Sequence, residues 1–260
     1  MEASNGLKAR NARLILAAAV VAVALLLVGG GFAVATLMHD DPESPPPAAA
    51  GPTAGAPTPE QPSTGNSGPV TPETARKVKL DKPTGQKDGV STGFRNSPVG
   101  AISAVVRFWE EYAWLDDEKA SQQLTAVASK DSPGYVDKHV SEVRTMREGV
   151  GLPPSGGIPA DINFTTSVTA IRVTSVKAPG VPLGDVMQIW VAYDRFATGP
   201  NGGRDENPLR DEMTDFIVKW EDGAWKFTDE YHDKRSFPRS YEATSPYAQA
   251  DGWTQVIHAG

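Results

Sequence analysis

Residues 162–176 read INFTTSVTAIRVTSV, and their apolar side chains change phase: Ile162, Phe164 and Val168 fall on even positions, Ile171 and Val173 on odd ones. Side chains alternate between the two faces of a strand, so a phase change keeps one face apolar only where an extra residue is inserted. A long strand with a bulge or bend is expected, and with it a curved sheet. Downstream, Met187, Ile189, Val191 and Tyr193 alternate on one face of Val186 to Phe196, with Trp190 on the other. The loop ATGPNGGRDENPL (197–209) leads to a third strand near Met213 to Trp220. Glu221-Asp222-Gly223 then reads as a tight turn into Ala224 to Thr228, which closes a hairpin.

Upstream of these strands the period is helical. Ser97-Pro98 is a good cap followed by proline at the first helical position. Ile102, Val105, Val106, Trp109, Tyr112 and Ala113 recur at spacings of three and four, with Ser103, Arg107, Glu110 and Glu111 on the opposite side. This predicts an amphipathic helix to about Leu115, with Trp109 as its core anchor. A short helix around Ala120 to Ala128 presents Leu124 and Val127. Another starts at Ser132-Pro133, carries Val136, Val140, Val143 and Met146, and stops at Gly149, Gly151 and Pro153-Pro154. The fold class read from this order is α+β, three helices followed by a curved four-stranded antiparallel sheet.

The other end of the chain is unlike this. From Leu14 to Met38 the run LILAAAVVAVALLLVGGGFAVATLM holds 25 residues without a charge. As a helix it measures about 37 Å, enough to cross a hydrocarbon core of about 30 Å with some tilt. Lys8, Arg10 and Arg13 precede it, and Asp40, Asp41 and Glu43 follow. That charge bias places residues 1–13 in the cytoplasm, 14–38 in the cell membrane as a single-pass span and the rest outside the cytosol. The alternative is a cleaved signal peptide with Ala33-Val34-Ala35 at its cleavage site, which exports the remainder equally. Residues 39–96 contain 11 prolines and, among larger apolar side chains, Val70, Val78, Leu80, Val90 and Phe94. So little apolar surface does not offset chain entropy, and the segment is expected to be a disordered linker, about 40 Å in root-mean-square span and at most about 180 Å when extended. The folded domain is expected over 97–234, and a tail over 235–260, carrying Phe237, Tyr241, Tyr247 and Trp253, either docks on the domain, the favoured reading, or folds upon a partner.

Composition and motif searches narrow the chemistry. There is no cysteine, which removes disulfides, thiolate metal sites and a thiol nucleophile. With 25 basic and 32 acidic side chains the net charge is −7, and no strong basic patch offers a footprint for nucleic acid. His39, His139, His232 and His258 are scattered without ligand spacing. The glycines of GPNGGRD do not fit a phosphate or dinucleotide loop, Ser155 in PPSGG lacks a nucleophile elbow, and Asp205, Glu206, Asp211 and Glu212 lack the spacing of a calcium loop. One constellation remains: Asp194-Arg195 near the end of the second strand, with Asp229, Glu230, His232 and Asp233 after the last. An acid–base pair is one reading, solvated strand ends and surface ion pairs the favoured one. No catalytic residue, cofactor or metal ligand is assigned, and the chain is not expected to be an enzyme. Trp109, Trp114, Trp190, Trp220 and Trp225 with Phe108, Phe216 and Phe227 are expected mainly in the core, some of them serving a partner interface.

The opening helix SPVGAISAVVRFWEEYAWLDD, the bent strand INFTTSVTAIRVTSV and the hairpin FIVKWEDGAWKFTD together resemble the cystatin-like α+β cone of the nuclear-transport-factor-two superfamily, over roughly residues 97–234. That fold hosts isomerases, dehydratases, binding modules and assembly proteins, so the resemblance implies a shape more than an activity. The whole layout of basic tail, single span, Pro-rich tether and one such domain resembles the TcpC-like, bitopic scaffold proteins of type IV secretion and conjugation. It also resembles single-span proteins associated with mammalian-cell-entry lipid transporters in actinobacteria, and richness in Ala, Gly, Pro and Asp fits a high-GC actinobacterial chain. TcpC-like proteins usually carry two such domains, and this chain has room for one. The resemblance implies an extracytoplasmic scaffold whose partners are the bilayer, other membrane-complex proteins and further copies of itself. The alternatives are a cone that binds a small molecule or acts on it, and an accessory role in lipid transport.

Overall fold

A computed structural model of the chain describes residues 74, 76–159, 163–198, 205, 207–239 and 245–258. The apolar run 14–38, its cleavage alternative and most of the tether lie outside these residues, as do His39, Ile162, Glu206 and Tyr241. Among the described residues, no helix is long and apolar enough to cross a membrane. In chain order the elements are β1 (Lys77–Lys79), β2 (Gly85–Lys87), β3 (Val90–Thr92), α1 (Pro98–Glu111), α2 (Asp117–Val127), α3 (Tyr135–Gly149), β4 (Asn163–Ser175), β5 (Val186–Thr198), β6 (Leu209–Glu221), β7 (Ala224–Phe227), α4 (Pro246–Ala250) and β8 (Thr254–Ile257).

The class is α+β, helices first and then a mostly antiparallel sheet. The sheet is mixed and has six strands rather than the expected four, in the order β1-β8-β4-β5-β6-β7. The two additions come from the segments expected as linker and tail: β8 pairs antiparallel with β4 at Ala170 and Ile171, and β1 pairs parallel with β8. The phase change in β4 is a register shift between Val168 and Ala170 against β5. The Val168 amide there donates to Glu110 Oε1 of α1 at 3.1 Å. Asp222 and Gly223 turn the β6–β7 hairpin with φ of 50° and 77°, the left-handed pair a two-residue hairpin needs.

Ser97 caps α1, its side chain accepting from the Gly100 amide. Gly100 lets the chain close tightly, since a Cβ there would lie 2.0 Å from the Arg95 carbonyl oxygen. Val105, Val106 and Phe108 of α1 meet Ile189, Val191, Val218 and Phe227 of the sheet in one apolar cluster. Phe108 is the fully buried aromatic of this helix, with its ring 4.5 Å from that of Phe227. Trp109, expected in that role, is only half-buried and stacks at 5.9 Å on Tyr112. One residue is about 100° of helix, and that rotation exchanges their surroundings.

The boundary expected at Ser97 lies further upstream. Residues 76–96, read from composition as linker, cover the polar side of α1. The Asp81 amide donates to Ser103 Oγ at 2.8 Å, while the Ser91 amide and hydroxyl both donate to the Glu111 carboxylate at 2.6 Å. Leu80, Val90 and Phe94 are buried in the same cluster as Val105. α3 also starts later than expected: Gly134 is its N-cap, without a side-chain hydrogen bond. Ser132 Oγ instead lies 2.7 Å from Thr228 Oγ1 and accepts from the Asp229 amide, tying the helix entry to the end of β7.

Candidate functional site

α3 does not close over the sheet. Beyond the C-terminal end of α1, between α3 and the inner face of β5 and β6, lies a hollow that continues around the edge of β6 to Trp190, Asp215 and Phe237 on the outer face, about 1060 Å³ in all, at the top of the range in which proteins hold small molecules. Phe108, Trp109 and Tyr112 from the end of α1, Tyr193 from β5 and Phe216 from β6 give it an aromatic floor. The ring of Trp109 meets that of Tyr193 edge-on at 5.2 Å and that of Phe216 at 5.3 Å. From α3 come Tyr135, His139, Glu142, Val143 and Met146, spaced as one stripe of a helix. The outer margin is β6 itself, which pairs with β7 only from Val218 onward; among the described residues its stretch 209–217 has a strand neighbour on one side alone.

The end of α1 is fixed by a residue that carries no motif. Gln123 of α2, fully buried, accepts from the Ala113 amide at 2.8 Å and donates to the Glu111 carbonyl at 2.9 Å. This answers backbone groups that a helix end otherwise leaves open, and it sets where Tyr112 and Trp114 point.

The electrostatics of the hollow turn on Arg195. It is 3% exposed, and its guanidinium carbon lies 4.2 Å from the Trp114 ring centre, 5.1 Å from Trp109 and 5.2 Å from Tyr193. Nε donates to Thr166 Oγ1, its ladder partner on β4, at 2.9 Å, while Nη2 is buried without a partner. Burial presses its pKa below the ordinary value, with Tyr193, Glu212 and Tyr112 acting in the opposite sense. An arginine has so high an intrinsic pKa that it remains a cation. Burial also raises the pKa values of Tyr112, Tyr135 and Tyr193, so all three phenols stay protonated at neutral pH. Glu212, half-buried opposite Tyr193, has its pKa raised first by burial, with Arg195 working against that rise.

The residues singled out in the sequence part company here. Arg195, Asp229 and His232 line the same hollow, but Asp194 does not. Asp194 accepts from the Asp211 amide at 3.0 Å across a second register shift, where Asp211 takes φ of 55°. Asp229 pairs with Lys138 at 2.9 Å, Glu230 with Lys219 at 3.3 Å and Asp233 with Lys234 at 2.6 Å, so these carboxylates meet cations at the surface. Asp205 accepts from the Ala197 and Asn207 amides at 2.8 and 3.0 Å. Ser155 donates to Asp117, and His258 pairs with Glu110 at 2.6 Å. His139 Nδ1 lies 2.7 Å from Glu142 Oε2 on the wall of the hollow, a contact the sequence reading did not single out. Among the described residues, no group of three or more His, Cys, Asp or Glu is placed to hold a metal ion.

What the sequence reading missed is the side on which Arg195 falls. The alternation from Met187 to Tyr193 continues by two residues to Arg195, which puts it on the inner face; its charge and the neighbouring Asp194 suggested a solvated strand end instead. Comparison of the chain with protein-family models, with curated proteins and with solved structures finds no match.

Proposed function

We propose that this chain is a membrane-anchored, extracytoplasmic assembly component without catalytic activity, with conjugation or type IV secretion as the machine its layout fits. In this reading residues 14–38 hold the N-terminus in the cytoplasm, the Pro-rich tether spaces the domain from the bilayer, and the domain is a cystatin-like cone that receives what it binds. The observation that carries the binding role is the hollow, aromatic on its floor and bounded by the stretch of β6 that, among the described residues, has a strand neighbour on one side alone. The carboxylates nearest to an acid–base arrangement support it further, since Asp229, Glu230 and Asp233 each stand in an ion pair.

Transfer of a conjugative element from the host cell tests this. A variant lacking residues 14–38, with an export signal supplied, is expected to lower transfer at least tenfold, because tethering sets the effective concentration of the domain at the membrane. The double variant Asp229→Asn with His232→Gln is expected to leave transfer intact. A silent release together with a dead, folded double variant would contradict the proposal. A second reading, a small-molecule-binding cone or an accessory protein of a mammalian-cell-entry-type lipid transporter, is favoured by the volume of the hollow alone.

A further inference from the structure

Three buried N–H donors lack an acceptor within a single patch of the hollow: Arg195 Nη2, Trp109 Nε1 and Trp114 Nε1. They are neighbours, since both indole rings lie within about 5 Å of the Arg195 guanidinium, and all three residues line the hollow. Buried donors are nearly always paired, so three orphans in one place mark a position where an acceptor is missing. An isolated charge is costlier to bury than a neutral donor, and cation–π contacts return only part of that cost.

The surroundings define the acceptor. Of the other cations on the wall, Lys138 is paired with Asp229 at 2.9 Å and Arg235 with Asp215 at 2.6 Å; among the described lining residues, Arg195 is the one lysine or arginine without an ion pair. Glu142, Asp211, Glu212, Asp215 and Asp229 also line the hollow and disfavour a negative charge anywhere but at Arg195. Next to the donors stand the rings of Phe108, Tyr112 and Phe216.

We infer that the hollow binds a carboxylic acid with an apolar aromatic or alkyl body, its single carboxylate seated on Arg195 and the two indole N–H groups and its body against the aromatic floor. The inference rests on the hollow being a binding site, and not on which machine the protein serves.

The probe pair is 2-naphthoate and its neutral isostere 2-naphthamide, titrated against the full chain in nanodiscs, with empty nanodiscs as the blank and tryptophan fluorescence as the signal. Naphthoate is expected to bind about 10- to 100-fold more tightly than naphthamide, the gain typical of hydrogen bonds to a charged group. Arg195→Met is expected to abolish that preference, and Trp114→Phe, which keeps a ring and removes the N–H, to reduce it several-fold. Equal binding of the two probes would overturn the carboxylate seat while leaving the hollow a binding site. Failure of both to bind would overturn the seat and the small-molecule use of the hollow together. A preference that survives unchanged in both folded variants would also overturn it.

Discussion

The two faces of β5 have opposite fates. On the outer face Trp190 and Ala192 pack with Ala170, Ala248 and Trp253, so the C-terminal segment lies directly on the sheet. Several of its polar groups are answered there: Trp190 Nε1 donates to the Ser236 carbonyl at 2.9 Å, Gln188 accepts from the Ser236 amide at 2.8 Å, and Arg172 pairs with Asp251 at 3.2 Å, while Arg235 Nε and the Gln249 amide are buried without a partner. On the inner face, two residues beyond Tyr193, Arg195 and its indole neighbours are left with open donors around a hollow of about 1060 Å³. One strand thus carries a face largely covered by its own chain and a face on which most of the hollow opens.

The largest effect is expected on the covered face. Trp253 is 1% exposed, and Trp253→Ala should cost about 3–5 kcal/mol, read as a lower midpoint in urea unfolding of the purified chain. An unchanged midpoint would show that the C-terminal segment adds nothing and would break the comparison at once.

Next comes the upstream cover of α1. Leu80→Ala removes a side chain buried in the main cluster and should cost about 2–5 kcal/mol; a shift of the melting temperature below one degree would return residues 76–96 to the linker. This segment was not legible in the sequence for a physical reason. β1 and β3 have three residues each, with one apolar side chain apiece, Val78 and Val90, which is too short for alternation to register. β1 is held by pairing with β8 and β3 by hydrogen bonds from Ser91 to Glu111 of α1, with the Asp81 amide bonded to Ser103 between them, and these partners only the tertiary structure supplies.

Local chemistry was legible wherever it sufficed by itself. The bulge after Val168, the Asp222-Gly223 turn and the Ser97 cap all appear where the residues placed them. The expected cap at Ser132 failed because Thr228 and Asp229, 96 and 97 residues further on, take up its hydroxyl. Gln123 escaped notice and Arg195 was placed at a solvated strand end for the same reason, since a buried polar side chain is defined by distant partners.

A smaller, pH-dependent effect is expected where the start of α2 meets α3 and the segment that follows it. Asp117 is 1% exposed; it accepts from the Gly156 amide at 2.8 Å, from Arg144 at 2.9 Å and from Ser155. Burial alone would raise its pKa, but these donors outweigh burial and hold it down at about 2. A carboxylate depressed in the folded state contributes stability above its unfolded pKa of about 3.9, and that contribution falls away as pH drops towards about 2. Asp117→Asn should therefore lower the melting temperature at pH 7 and narrow its gap to the unsubstituted chain as pH falls from 4 to 2. A gap that is constant across this window would remove Asp117 from the account.

The central claim is that Arg195 is held for a ligand and not for the fold. Melting of Arg195→Met in the absence of any added acid tests it most directly, because methionine fills similar space and leaves no charge to bury. Replacing an unpaired buried cation by an apolar side chain is expected to leave the melting temperature unchanged or raise it, as buried charges replaced by apolar groups often do. A fall of several degrees would contradict the account, showing that the guanidinium between Trp114, Trp109 and Tyr193 is a structural cation that the aromatic rings already satisfy.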